Sequence, residues 1–189
     1  MALRLNGSTS GYVEIDAPAV AGSNTLTLPD GNGTSGQVLS TNGSGALSFV
    51  DRMTAAGPAF SAYQNSAQSV SSGTTVKVQF QAEDFDTANC FDSTTNYRFT
   101  PNVAGYYQVN ALVQQNTGSV EHALFAYKNG SNYKCINVIL VPTGRGITGS
   151  ILVPMNGTTD YLELYFFSSN TASLIPNNTW ITAHFARPL

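Results

Sequence analysis

The 189-residue sequence predicts an all-β protein: an antiparallel β-sandwich head preceded by an extended, Gly/Ser/Thr/Asn-rich β segment. Three observations predict it. After Gly105, the residues Gln108, Asn110 and Gln114 alternate with Val109, Ala111 and Val113, the period-2 mark of a half-buried strand. Short apolar stretches recur at regular spacing between Gly, Asn and Pro turn signals, as sandwiches require. No window sustains a helical period, so almost no helix is expected.

Taken in order, the head strands are predicted at 59–63, 75–81, 96–100, 105–115, 121–128, 133–141, 147–153, 160–168 and 179–186. Val, Thr, Tyr and Phe suit a pleated, half-buried surface, and Gly and Asn suit the turns between. Before residue 58 the texture changes. Apolar residues come there only in pulses (Tyr12–Ile15, Thr25–Leu28, Gln37–Leu39, Leu47–Val50), each closed by a turn signal such as Pro29-Asp30-Gly31 or Asn42-Gly43. Pulses this short enclose no core within one chain and must be buried against something else, most simply identical chains. The expected organisation is therefore a stalk or docking segment at 1–57 and a head at 58–189, with residues 52–58 as the joint.

Composition narrows the function classes. Eight basic and 11 acidic residues leave a formal charge of −3, with no cationic field to displace counterions from a phosphate backbone, so nucleic acid is not an expected partner. No apolar run approaches the roughly 20 residues that a bilayer requires. The amino terminus lacks a long apolar stretch, which reads as a protein made and used without a secretory signal. Cys90 and Cys135 are expected as free thiols, since nothing in the sequence places them within bridging distance.

Candidate site residues are few. His122 follows Glu121, which permits a carboxylate-oriented general base, but no nucleophile elbow accompanies it, and a strand histidine on a solvated or subunit face is the commoner case. His184 alternates with Trp180 and Thr182 as an ordinary strand residue. Glu83, Asp84, Asp86 and Asp92 are the candidate metal ligands, since hard carboxylate oxygens suit calcium; clustered loop carboxylates are more often turn formers, and their spacing fits no defined calcium loop. No other cofactor is expected, and no catalytic residue is assigned.

Asn-Gly occurs at 6–7, 32–33, 42–43, 129–130 and 156–157, each followed by Ser or Thr. Read literally these are glycosylation sequons; read structurally they supply the positive-φ pair of type I′ hairpin turns. In Tyr161–Phe167, Leu162, Leu164 and Phe166 fall on one face and Tyr161, Glu163, Tyr165 and Phe167 on the other. The aliphatic face fills a core. The aromatic face, with Tyr161, Tyr165 and Phe167, is the candidate subunit interface.

The spacing of Phe99, Gly105 and Tyr107 resembles the signature of the complement globular-head and tumour-necrosis-factor-like family, although the aromatic pair that the signature expects next is here Val109 and Ala111. Weaker matches follow in the family's order: Leu124–Gly130, Val153–Gly157 before Asp160–Leu164, and Trp180–Phe185. The resemblance spans roughly residues 58–189 and implies a jelly roll assembled as a homotrimer; calcium occurs in relatives.

Asn24-Thr25-Leu26-Thr27-Leu28-Pro29 followed by Gly36–Phe49 resembles a segment recurrent in bacteriophage tail-fibre and other virion-appendage proteins, where it precedes or builds a trimeric stalk. Together the two resemblances imply a virion structural protein, assembled in the bacterial cytoplasm, that docks on other virion proteins through its amino-terminal segment. Its heads would bind a host surface glycan or protein, the loops at 116–120, 142–146 and 168–178 being the places to look. The alternative within the virion is a capsid decoration or head-fibre protein at threefold positions. A carbohydrate depolymerase is disfavoured, because no pair of carboxylates has a convincing acid/base setting.

Overall fold

The computed structural model describes residues 3–20, 22–51, 57–116, 120–141 and 146–189. The chain divides into two compact units, Met1–Thr54 and Ala55–Leu189. Every described element is a strand, and no helix is long and apolar enough to cross a membrane.

The first unit holds two separate hairpins. Strand β1 (Leu3–Asn6) pairs antiparallel with β2 (Tyr12–Ile15), and β3 (Gln37–Thr41) with β4 (Leu47–Asp51). A single parallel bridge, Thr27 to Ala46, ties the Thr25–Leu28 pulse to the second hairpin. No described residue of this unit is buried.

The second unit is the sandwich. Its strands are β5 (Ala59–Tyr63), β6 (Gln68–Val70), β7 (Thr74–Lys77), β8 (Ala82–Asp86), β9 (Phe91–Asp92), β10 (Arg98–Phe99) and β11 (Gly105–Gln114). There follow β12 (Val120–Lys128), β13 (Ser131–Val141), β14 (Gly146–Met155), β15 (Leu162–Ser168), β16 (Ala172–Leu174) and β17 (Trp180–Arg187). One sheet runs β14-β11-β17-β5-β8; the other runs β13-β12-β15-β10-β9, with β7 also pairing β15. All pairings within these sheets are antiparallel.

Strict alternation builds the core between the sheets. Along β11, buried Gly105, Tyr107, Val109, Ala111 and Val113 alternate with half-buried Tyr106, Gln108, Asn110, Leu112 and Gln114. Ile147, Ile151, Val153 and Met155 meet them from β14, and Ile181, Ala183 and Phe185 from β17. The facing sheet contributes Leu124, Ala126, Leu162, Leu164 and Phe166. Every member of the buried core cluster lies between Phe60 and Phe185.

Three strand expectations need correction. The strand expected over 75–81 stops at Lys77, because the Gln79 amide leaves the ladder and donates to Gln68 Oε1 at 3.0 Å. The one expected over 96–100 shrinks to Arg98–Phe99, since Tyr97 sits at φ 49° and the Asn96 amide is held by Asp92. Strands β6, β8, β9 and β16 are additional: β6 and β16 pair with each other over three residues, too few to show an alternation, and Leu174 of β16 also bridges Gln115.

Of the five Asn-Gly pairs, only Asn129 (φ 54°) and Gly130 (φ 76°) are both in the positive-φ region, forming the β12–β13 hairpin turn. At two of the other pairs the asparagine acts through its side chain. Asn156 Oδ1 accepts from the amides of Thr158, Thr159 and Asp160, and Asn42 Oδ1 from those of Ser44 and Ala46.

Candidate functional site

Phe99, Gly105 and Tyr107 form one packing unit rather than a site of chemistry. The Phe99 and Tyr107 rings meet edge-on at 5.1 Å, Tyr107 meets Phe185 edge-on at 5.5 Å, and Phe60 lies 4.9 Å from Phe99 and stacks on Phe91 at 4.6 Å. Gly105 is required by this cluster, because a Cβ there would run into the Phe185 ring and the Arg187 carbonyl. Tyr107 Oη, buried, donates to the Val103 carbonyl at 2.7 Å, and burial pushes the hydroxyl up to about 12.

Tyr161, Tyr165 and Phe167 line an outward face and are each half-buried. Tyr165 stacks on Tyr127 with ring centroids 3.9 Å apart, and the Arg98 guanidinium lies 4.4 Å from the Tyr161 centroid. Glu163, between the two tyrosines, is only 6% exposed and is neutralised by Lys77 Nζ at 2.7 Å, which also donates to the Asn96 carbonyl. Burial pushes the Tyr165 hydroxyl up, and the Glu163 charge adds to it. The face is thus aromatic around one internally paired charge, with Ala123 and Thr75 flanking Phe167 in register.

The four carboxylates do not converge. Asp86 closes a turn, accepting from the amides of Ala88, Cys90 and Phe91 and from the Cys90 thiol. Burial raises its pKa, but these donors outweigh burial and hold it below the ordinary carboxylate value. Asp92 closes the next turn, and the Thr95 amide, with Thr94 and Asn96, holds it low. Asp84 is exposed and accepts from Ser61 Oγ at 2.7 Å. Among the described residues no three His, Cys, Asp or Glu side chains gather to hold a metal ion.

His122 lies elsewhere than expected. It is 0% exposed, 5.0 Å from the Phe166 ring, and neither ring nitrogen has a hydrogen-bond partner among the described residues. The alternation of β12 explains this: His122, Leu124 and Ala126 share the inward face, a signal present in the sequence that the adjacent Glu121 obscured. Burial pushes its pKa down. The unfolded chain therefore binds a proton that the folded head refuses, and stability is lost as pH falls through about 6.5, the unfolded value. The carboxylates Asp86, Asp92 and Asp160, held low in the fold, act in a separate window below about 4. Urea midpoints measured from pH 7.5 to 5 should fall for the native chain, and the slope should flatten in His122→Phe. An unchanged slope would assign the pH response to another group.

His184 is exposed on β17, opposite Gln108. Cys90 and Cys135 are free, the first buried and the second exposed. Burial, with the Asp86 hydrogen bond, pushes the Cys90 thiol up and makes it inert. Of the expected contact loops, residues 117–119 and 142–145 lie outside the described residues, as do residues 52–56 of the expected joint. The loop before β17 is described and holds Asn177 at φ 61°.

No protein-family model matches the chain. Over 111 residues it is 32% identical to the phage-like element PBSX protein XkdV of Bacillus subtilis, a match covering 53% of this chain and 16% of that protein's length. Among solved structures it is similar to the globular domain of zebrafish complement 1qA protein, with a TM-score of 0.51 and 14% identity, over 70% of this chain and 99% of that one. It is similar also to murine APRIL, with a TM-score of 0.52 and 10% identity, over 69% of this chain and 99% of that one. The described elements are all β-strands paired antiparallel in their sheets, and the head has the jelly-roll fold of these domains.

Proposed function

We propose that this chain is a structural protein of a phage particle, a homotrimeric fibre or spike whose amino-terminal unit docks on other virion proteins and whose jelly-roll heads attach to the host surface. It catalyses no reaction in this reading. The observation that carries it is the contrast between the two units. The head owns a complete core, whereas the first unit presents Leu3, Leu5, Tyr12, Val13, Ile15, Val20, Leu26 and Leu28 all more than half exposed, with no buried residue among those described. Apolar side chains so displayed call for covering by other copies of the chain or by a docking partner.

The likeness to a phage-element protein supports the virion setting, and the jelly-roll head supports a trimer, with Tyr161, Tyr165 and Phe167 as the proposed interface. Three heads in one assembly would turn a modest single-site affinity into firm attachment. Residues 1–54 expressed alone should show no cooperative melt as a monomer; a sharp, concentration-independent transition would sink the assembly argument. A cryo-electron reconstruction of the intact particle tests the attachment role. Density at the distal end of tail appendages is the expected result, and density spread over the capsid lattice would replace it with shell decoration.

A further inference from the structure

On the outward face of the β14-β11-β17-β5-β8 sheet lies a cleft of about 500 Å³ lined by Ser61, Tyr63, Asp84, Asn177, Trp180 and Thr182. Register places these residues together. Trp180 is directly opposite Tyr63 and Thr182 opposite Ser61, so two aromatic rings sit beside two hydroxyls on one face. The β5–β8 ladder shifts register between Ser61 and Ala62, whose partners are Phe85 and Glu83; Asp84 falls in that irregularity and is turned onto the same face. Its Oδ2 accepts from Ser61 Oγ at 2.7 Å, while Oδ1 has no partner among the described residues. Asn177 sits in the left-handed region at φ 61°, its amide donating to the Gln64 carbonyl at 2.7 Å, and its exposed carboxamide makes no hydrogen bond among the described residues.

We infer that this cleft binds a neutral hexopyranose unit of a surface polysaccharide, an inference that rests on the attachment reading above. A pyranose ring has a C–H face that stacks on an aromatic ring and a rim of hydroxyls that both donate and accept. Trp180 and Tyr63 supply the first need. The Asp84 carboxylate and Asn177 carboxamide, with the Ser61 and Thr182 hydroxyls, supply acceptors and donors for the second. Among the described residues the lining carries a carboxylate and no Lys or Arg, so phosphorylated and acidic sugars are repelled rather than held. A single cleft of this kind binds weakly, and three in one assembly compensate.

The test uses the full chain on an array of glucose-, galactose-, rhamnose- and N-acetylglucosamine-terminated oligosaccharides beside sialylated and phosphorylated ones. Asp84→Asn and Trp180→Ala are compared, and circular dichroism and sedimentation report folding and assembly. The expected result is binding confined to neutral glycans and weakened at least about tenfold in Asp84→Asn, the less disruptive change, at unaltered sedimentation. Binding that survives both substitutions, binding led by acidic glycans, or no binding by the native chain would overturn the inference. So would a Trp180→Ala chain that folds but no longer assembles, since the face would then be covered by a neighbouring copy. Particle adsorption separates the two levels. If particles lacking this chain still adsorb normally, the attachment reading itself fails; if adsorption needs the chain but tolerates Asp84→Asn, only the cleft is wrong.

Discussion

Phe99→Ala should lower the stability of the head by about 3–5 kcal/mol, the cost of emptying an aromatic position in a core that cannot fully collapse. The side chain is 1% exposed and sits between Phe60 at 4.9 Å and Tyr107 at 5.1 Å. Its loss removes the ring that joins the short β10 strand to the two long sheets. Strand β10 has little else to anchor it, since its ladder consists of Phe99 to Leu162 on one side and Arg98 to Asp92 and Phe99 to Phe91 on the other. Chemical denaturation of the head read by intrinsic fluorescence checks the value. A loss under about 1 kcal/mol would mean that neighbouring aromatics close the void, and the Phe60, Phe91 and Tyr107 cluster would not be the rigid unit described above.

Tyr165→Asp and Phe167→Asp should each convert the assembled protein to monomers while leaving the head folded. Both side chains are half-buried and outward, whereas the core contacts of β15 belong to Leu162, Leu164 and Phe166, which are at most 2% exposed. A carboxylate placed in an apolar interface without a cation is costly, by several kcal/mol when fully desolvated. Lys77 is already committed to Glu163 at 2.7 Å and cannot serve a second carboxylate without giving up the first. Sedimentation equilibrium reads the result directly. If both variants sediment as the native chain does, the proposed interface lies on another face, and the outward side of the β14-β11-β17-β5-β8 sheet becomes the next surface to examine.

What reached the surface of the sequence was periodicity and punctuation. The alternation from Tyr107 to Val113, the Leu162, Leu164 and Phe166 face, and the Asn129-Gly130 turn all appear as read, because each depends on residues two apart or adjacent. That no described residue of the first unit is buried was legible for the same reason: pulses of only two or three apolar residues are too short to enclose a core.

Tertiary structure decided what no local pattern carries. Asp86 and Asp92 stood as candidate calcium ligands with turn formation the commoner case, and only the positions of the Ala88, Phe91, Thr94 and Thr95 amides assign their lone pairs to the backbone. His122 looked like a surface residue beside Glu121, yet the sheet packed on β12 encloses it. The cleft joins Tyr63 and Asp84 to Asn177 and Trp180, on segments far apart in the sequence, through a cross-strand register and a shifted ladder. A strand's own residues specify which side chains face in and which face out; which neighbour lies alongside, and therefore what each outward group meets, is specified by the energy of the whole core. That is why the fold class was readable from one chain of letters while the candidate site was not.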